Sequence, residues 1–225
     1  MIFSPTIIND GRRLLIASQP LNFLTGNYDA QPEADLANEN IDYLSFFNQQ
    51  DAENIRFSSV LRASATFPFV MPMITMPTEP QIQLMDAGIR DNYGGKTTME
   101  FLSVMSDWIK ENTSGVIILQ IRDTKKILKN TTYTHFSFMD KLTMPFGNMY
   151  KNFPRVQDFN QQELMRIGKE SLGFPIDQIS FNLREKKEDR ISLNWHLTKD
   201  EKEKIKKAFQ SSLNTKAFEN LKRLL

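Results

Sequence analysis

The chain has 225 residues, 28 Lys plus Arg against 27 Asp plus Glu, 40% hydrophobic residues and no cysteine. That length supports an ordinary folded domain, and the composition excludes a disordered segment. The near-zero net charge gives no electrostatic reason for nucleic acid as a partner, and the missing cysteines exclude disulfides and thiolate metal sites.

The opening residues lack the basic and apolar regions of a signal peptide, and no run approaches the roughly 18 consecutive apolar residues of a membrane span. The piece is expected to be soluble, whereas a longer parent could still be membrane-associated. IINDGRRLLIAS predicts a hairpin, Ile7 to Ile8 and Leu14 to Ala17, turned around Asn9, Asp10 and Gly11. Thr25 to Gln50 is polar and irregular around Tyr43 to Phe47, and reads as a long surface loop. Asp51 to Ala65 suits a helix, and the prolines of FPFVMPMITMP after it forbid regular structure.

Gln81 to Met85 suits a short strand. Thr97 with Glu100 has capping-box spacing, and Phe101, Met105, Trp108 and Ile109 repeat at helical intervals up to Gly115. VIILQI, Val116 to Ile121, predicts a strand covered on both faces, and helix followed by buried strand indicates an α/β layer architecture. Thr124 to Phe159 shows no period and is read as irregular. Asn160 and Glu163 open a helix that stops near Gly173. Ile179, Phe181 and Leu183 alternate, as do Ile191, Leu193, Trp195 and Leu197, which predicts a second hairpin around EKKED. Thr198 and Glu201 cap a last helix to Leu213, with the helical pattern continuing through Phe218, Leu221 and Leu225.

The chemistry concentrates in VLRASATFPFVMP, Val60 to Pro72, and LMDAGIRDN, Leu84 to Asn92. Together these resemble the patatin-like phospholipase family, in which an R-A-S-A-x-x-P helix end leads through a Pro-rich apolar loop to a strand ending in Asp-Gly-Gly or Asp-Gly-Ala. Asp-Ala-Gly, found here, is the form of the cytosolic phospholipase relatives. The match runs from Ile55 to Gly95. The resemblance implies that Asp86 is the catalytic aspartate of a Ser-Asp dyad that hydrolyses lipid or other acyl esters, with no histidine, metal or cofactor. It implies a three-layer α/β fold with helices on both faces of the sheet. Residues 1–120 would be the C-terminal part of the catalytic domain, and 121–225 an extension with a hairpin and helices.

An aspartate that is the only base for a serine needs a fixed carboxylate in a site dry enough to raise its basicity. A strand end supplies rigidity, and small residues after it, Ala87 and Gly88, keep the carboxylate unobstructed. Asp-Ala-Gly alone is also a common turn, and only its setting argues for more. Asn92 and Asp91 are read as shaping the loop after the strand. Phe69, Met71 and Met73 are candidates for lining an acyl-chain channel, and equally for plain core.

The nucleophile is missing. No G-x-S-x-G occurs, since Ser114 precedes Gly115 without a partner glycine and Ser171 in GKESLG is out of register, and no glycine-rich oxyanion loop occurs either. Ser64 lies in RASAT, which is not an elbow, and is read as packing. In the family both elements lie further upstream than the 85 residues before Asp86 allow. The expectation is therefore a piece of a longer hydrolase, inactive alone, whose partner is the upstream half of the parent chain. The competing reading is a non-catalytic domain that binds a lipid or a partner on a degenerate scaffold. An incomplete sheet would expose an apolar edge and self-associate through it.

The remaining candidates have plainer readings. His135 and His196 show no ligand spacing, and His196 is expected at the surface. The basic face of KDEKEKIKKAF is interleaved with acids and reads as solvated. Trp108 and Trp195 are expected in the core. Asn130 begins an N-x-T sequon with no other sign of secretion.

Overall fold

A computed structural model describes residues 1–26, 39–66, 71–124, 138–184, 191–192 and 196–225. Among these the chain is mixed α/β, with eight α-helices, a mixed five-stranded sheet and a two-stranded parallel sheet. It divides into two compact units, one of residues 1–108 with 145–172, the other of residues 109–144 with 173–225.

In the first unit, β1 (Thr6–Ile7) and β2 (Arg13–Leu15) form the expected antiparallel hairpin. Gly11 takes the left-handed turn position at φ 80°, and the Asp10 carboxylate accepts from Arg12 N–H at 3.0 Å. The polar stretch read as a loop contributes β3 (Asn40–Asp42), parallel to β2, and α1 (Tyr43–Phe46), whose cap is the Asp42 carboxylate accepting from Ser45 N–H at 3.3 Å. Three residues give too little alternation to see in sequence, but Ile41 is buried between the ladder and the core. A 3-10 turn at Ala52–Asn54 precedes α2 (Phe57–Ser64), which presses Val60 and Ala63 into the same core as Ile7, Leu14 and Phe47. β4 (Ile74–Thr75) pairs antiparallel with β5 (Gln83–Met85), and β5 pairs antiparallel with β1. The order is β3-β2-β1-β5-β4. Hence β2, β3 and β5 run the same way, and their carboxyl ends share one edge of the sheet.

After β5 come α3 (Gly88–Asp91), α4 (Gly95–Val104) and α5 (Ser106–Asn112). The capping box read at Thr97 and Glu100 is absent. The helix begins three residues earlier, at Gly95 behind Gly94 at φ 68°, and Thr97 is buried inside it. Trp108, expected in the core, is 55% exposed, because Ile109 takes the inward position of α5. α6 (Phe138–Ser171) replaces much of the stretch read as irregular. Pro145, Gly147 and Pro154 hide its helical pattern in the sequence. At Gly168 a Cβ would lie 1.9 Å from Met99 Cε, so the glycine seats α4 against α6.

The second unit is built on β6 (Val116–Thr124) and β7 (Ile176–Arg184), paired in parallel from Val116↔Ile176 to Thr124↔Arg184. α7 (Lys199–Phe209) and α8 (Ser212–Leu224) pack on β7 around Ile179, Phe181 and Ala217. The Asn214 side chain, fully buried, donates to the carbonyls of Asn182 and Ala208 and accepts from Asn182 N–H. β6 is not covered on both faces as expected. Leu119 and Ile121 are 54% and 66% exposed while Ile117 packs inward. The first arm of the second hairpin is β7, while its turn and the middle of its second arm lie outside the described residues, as do Trp195, His135 and the Asn130 sequon. The Thr198 capping box is present, and Lys204 and Lys206 pair with Asp200 and Glu203 on a solvated α7 face. His196 is exposed.

Candidate functional site

Asp86 follows directly on β5 and precedes α3 by one residue. Its backbone is clamped on three sides. Asp86 N–H donates to Thr66 carbonyl at 3.0 Å, Ala87 N–H donates to Ser64 carbonyl at 3.1 Å, and the Asp86 carbonyl accepts from Thr6 Oγ1 at 3.1 Å. The end of α2 and the start of β1 thus fix where this strand stops. Asp86 sits in a rigid frame rather than on a free loop.

The half-buried carboxylate turns back over the helix start, where Oδ1 accepts from Gly88 N–H at 2.7 Å. Oδ2 has no hydrogen-bond partner among the described residues. Burial pushes the Asp86 carboxyl above the ordinary carboxylate range, and the Gly88 N–H only partly offsets this. A Cβ on Gly88 would stand 2.7 Å from Asp86 Oδ1 and 2.7 Å from Asn92 Oδ1. The glycine is therefore needed for the close approach of two polar side chains, and Ala87 could not exchange places with it. Asn92 is exposed and closes the far side of this notch.

Of the other sequence candidates, Met71 is half-buried, Met73 is 47% exposed, and Phe69 lies outside the described residues. Ser64 contributes its carbonyl to the clamp while its buried Oγ has no partner among the described residues. No serine hydroxyl is hydrogen-bonded to Asp86 in the described residues.

Sequence reading missed the charged centre behind this site. Arg13 on β2 is 0% exposed, and its guanidinium donates from Nη2 to both Glu100 oxygens at 2.6 and 2.7 Å and from Nη1 to Thr97 Oγ1 at 3.0 Å. Its Nη1 lies 3.6 Å from the buried carboxylate of Asp91, which also accepts from Lys96 N–H, Thr97 N–H and Thr97 Oγ1. Asn40 Nδ2 donates to Glu100 at 3.0 Å. One cation thus ties β2, β3, α3 and α4 together just beyond Asp86. Arg13 directly follows Arg12 at the start of an aliphatic run, and nothing in that pattern tells the buried arginine from the exposed one. Thr97 and Glu100, read as a cap, are in fact its ligands.

The described residues contain no group of three or more His, Asp or Glu side chains able to hold a metal ion. No described helix is long and apolar enough to cross a membrane. No family model matches this chain, and no curated protein or solved structure matches it either.

Proposed function

We propose that this chain carries the aspartate of a serine acyl hydrolase acting on lipid esters, on a patatin-like three-layer scaffold completed by polypeptide upstream of these residues. One observation supports it above the rest. A rigidly held, partly desolvated carboxylate stands at a strand end, with one oxygen tied to Gly88 N–H and the other without a hydrogen-bond partner among the described residues.

In that reading Asp86 takes the hydroxyl proton as the serine oxygen attacks the acyl carbon, then returns it to the departing alcohol. The same carboxylate next takes a proton from water as its oxygen attacks the acyl carbon, and returns it to the serine oxygen as the acyl–Oγ bond breaks and the acid leaves. The raised pKa makes the carboxylate a better base, and its position needs no histidine to relay the proton.

The test uses the complete gene product, assayed with a p-nitrophenyl ester and labelled with a fluorophosphonate. Asp86→Asn is expected to lower the turnover number by about 100-fold or more, the usual worth of general-base catalysis, while the fold is unchanged. Undiminished hydrolysis in that variant refutes the assignment. The lack of any G-x-S-x-G elbow in the 225 residues favours a second reading, a non-catalytic lipid- or partner-binding domain. It predicts that the complete product neither labels nor hydrolyses.

A further inference from the structure

The sheet edge that carries Asp86 also carries a cavity of about 1020 Å³, the upper end of the size range of small-molecule sites. It lies where β2 and β3 end, between Ile16 and Leu44, and is walled by Phe3, Ile55, Phe57 and Val60. Phe3 and Phe57 meet edge to face in its wall, their ring centroids 5.7 Å apart. Ligands of open α/β sheets gather at the carboxyl ends of the strands, which is the edge in question. α2 joins the two features. Its first turns wall the cavity, and the carbonyls of Ser64 and Thr66 at its end hold Ala87 and Asp86. Met71 and Met73, the candidates from sequence, do not line it.

The chemistry of the lining narrows the occupant. The inner surface is apolar, with Ile16 and Val60 almost wholly buried. The mouth carries the exposed amides Gln19, Asn22 and Asn48, and Glu53 is the one charged side chain among the described lining residues. Among the described residues no cationic side chain lines it, and an anionic head such as a carboxylate or phosphate would meet the Glu53 carboxylate as well as the Met1 α-amino group, so the lining offers it no net positive charge. The amides can serve hydroxyl and ester oxygens.

We propose that this cavity binds an uncharged amphiphile, an acyl chain of medium length ended by a neutral glycerol-like head. That the chain belongs to the ester being hydrolysed rests on the reading of Asp86, whereas the binding does not. The test is displacement of the neutral fluorophore N-phenyl-1-naphthylamine from the 225-residue chain by monododecanoylglycerol below its micelle concentration. Sodium dodecanoate and monobutanoylglycerol are the comparators. The dodecanoyl ester should compete at least about tenfold better than either: over monobutanoylglycerol two buried methylenes would supply that margin, and over dodecanoate it comes from the neutral head. Ala17→Trp, which places an indole in the cavity, and Phe57→Glu, which charges an exposed part of its wall, should each abolish the competition with an unchanged circular dichroism spectrum. Phe57 is 62% exposed, so that variant is expected to fold.

Asp86→Asn should leave binding intact. Intact binding with no loss of hydrolysis in that variant would sink the catalytic reading and keep the cavity. Equal competition by dodecanoate, or unchanged probe affinity in both cavity variants, overturns the proposal. So does conversion of a dimer to a monomer by Phe57→Glu with probe affinity preserved, which would make the cavity a contact between copies.

Discussion

Arg13→Ala offers the sharpest check on how the first unit is held. The substitution removes a fully buried guanidinium and strands two carboxylates. Removing one partner of a buried pair costs about 3–5 kcal/mol. Two features pull the figure to the low end. Asp91 keeps four other donors, Lys96 N–H, Thr97 N–H, Thr97 Oγ1 and Gln161 Nε2, and the Glu100 side chain is 29% exposed, so it can turn to water. The expected loss is about 3 kcal/mol, or a fall of about 1–2 M in the urea midpoint. Far-UV circular dichroism gives the midpoint, and hydrogen exchange at the Thr97 and Leu14 amides reports the first unit separately. Glu100→Ala in the Arg13→Ala background should cost far less than in the native chain, with a coupling of roughly 1–3 kcal/mol. Arg13→Lys should not rescue, because an ammonium cannot span both Glu100 oxygens and Thr97. A loss below about 1 kcal/mol, or additive single changes, would show that the network contributes little beyond packing.

Two pH-dependent outcomes follow from single carboxylates. Because the folded pKa of Asp86 lies above its unfolded value, its contribution to stability is complete below the unfolded pKa and lost as pH rises through the folded one. Asp86→Asn should therefore melt higher than the native chain at pH 7 in scanning fluorimetry, with the curves converging on acidification. A constant offset at every pH would contradict this. Glu201 is held down to about 2 by hydrogen bonds from Ser192 and Thr198, so its contribution is present above the unfolded pKa and lost as pH falls through that value. A carboxyl NMR titration should find it there, and Thr198→Ala should raise it; an unperturbed midpoint would mean the capping box is not formed in solution.

Legibility followed local chemistry. The first hairpin announced itself through Asn-Asp-Gly between aliphatic pairs, and α7 through Thr198 and Glu201, because both are decided within a few residues. Asp86 stood out in the sequence only as the end of a motif, and the close approach of Asp86 and Asn92 that requires Gly88 has no signal in the residue types. β3 and α1 went unread because their stability comes from β2 and the core rather than from pattern. α6 was hidden by its prolines. Arg13 could not be found from sequence at all, since its meaning lies in partners 78 to 87 residues away.

The Asn214 side chain decides more than the packing of α8. Its amide engages both the N–H and the C=O of Asn182, the two groups that β7 turns away from β6 at that position. It stands where the backbone of a neighbouring strand would stand, so at Asn182 the side of β7 turned away from β6 is already paired. A strand supplied by another polypeptide would have to displace this amide to pair with β7 there. One asparagine thereby does for an exposed backbone what a further strand would otherwise do.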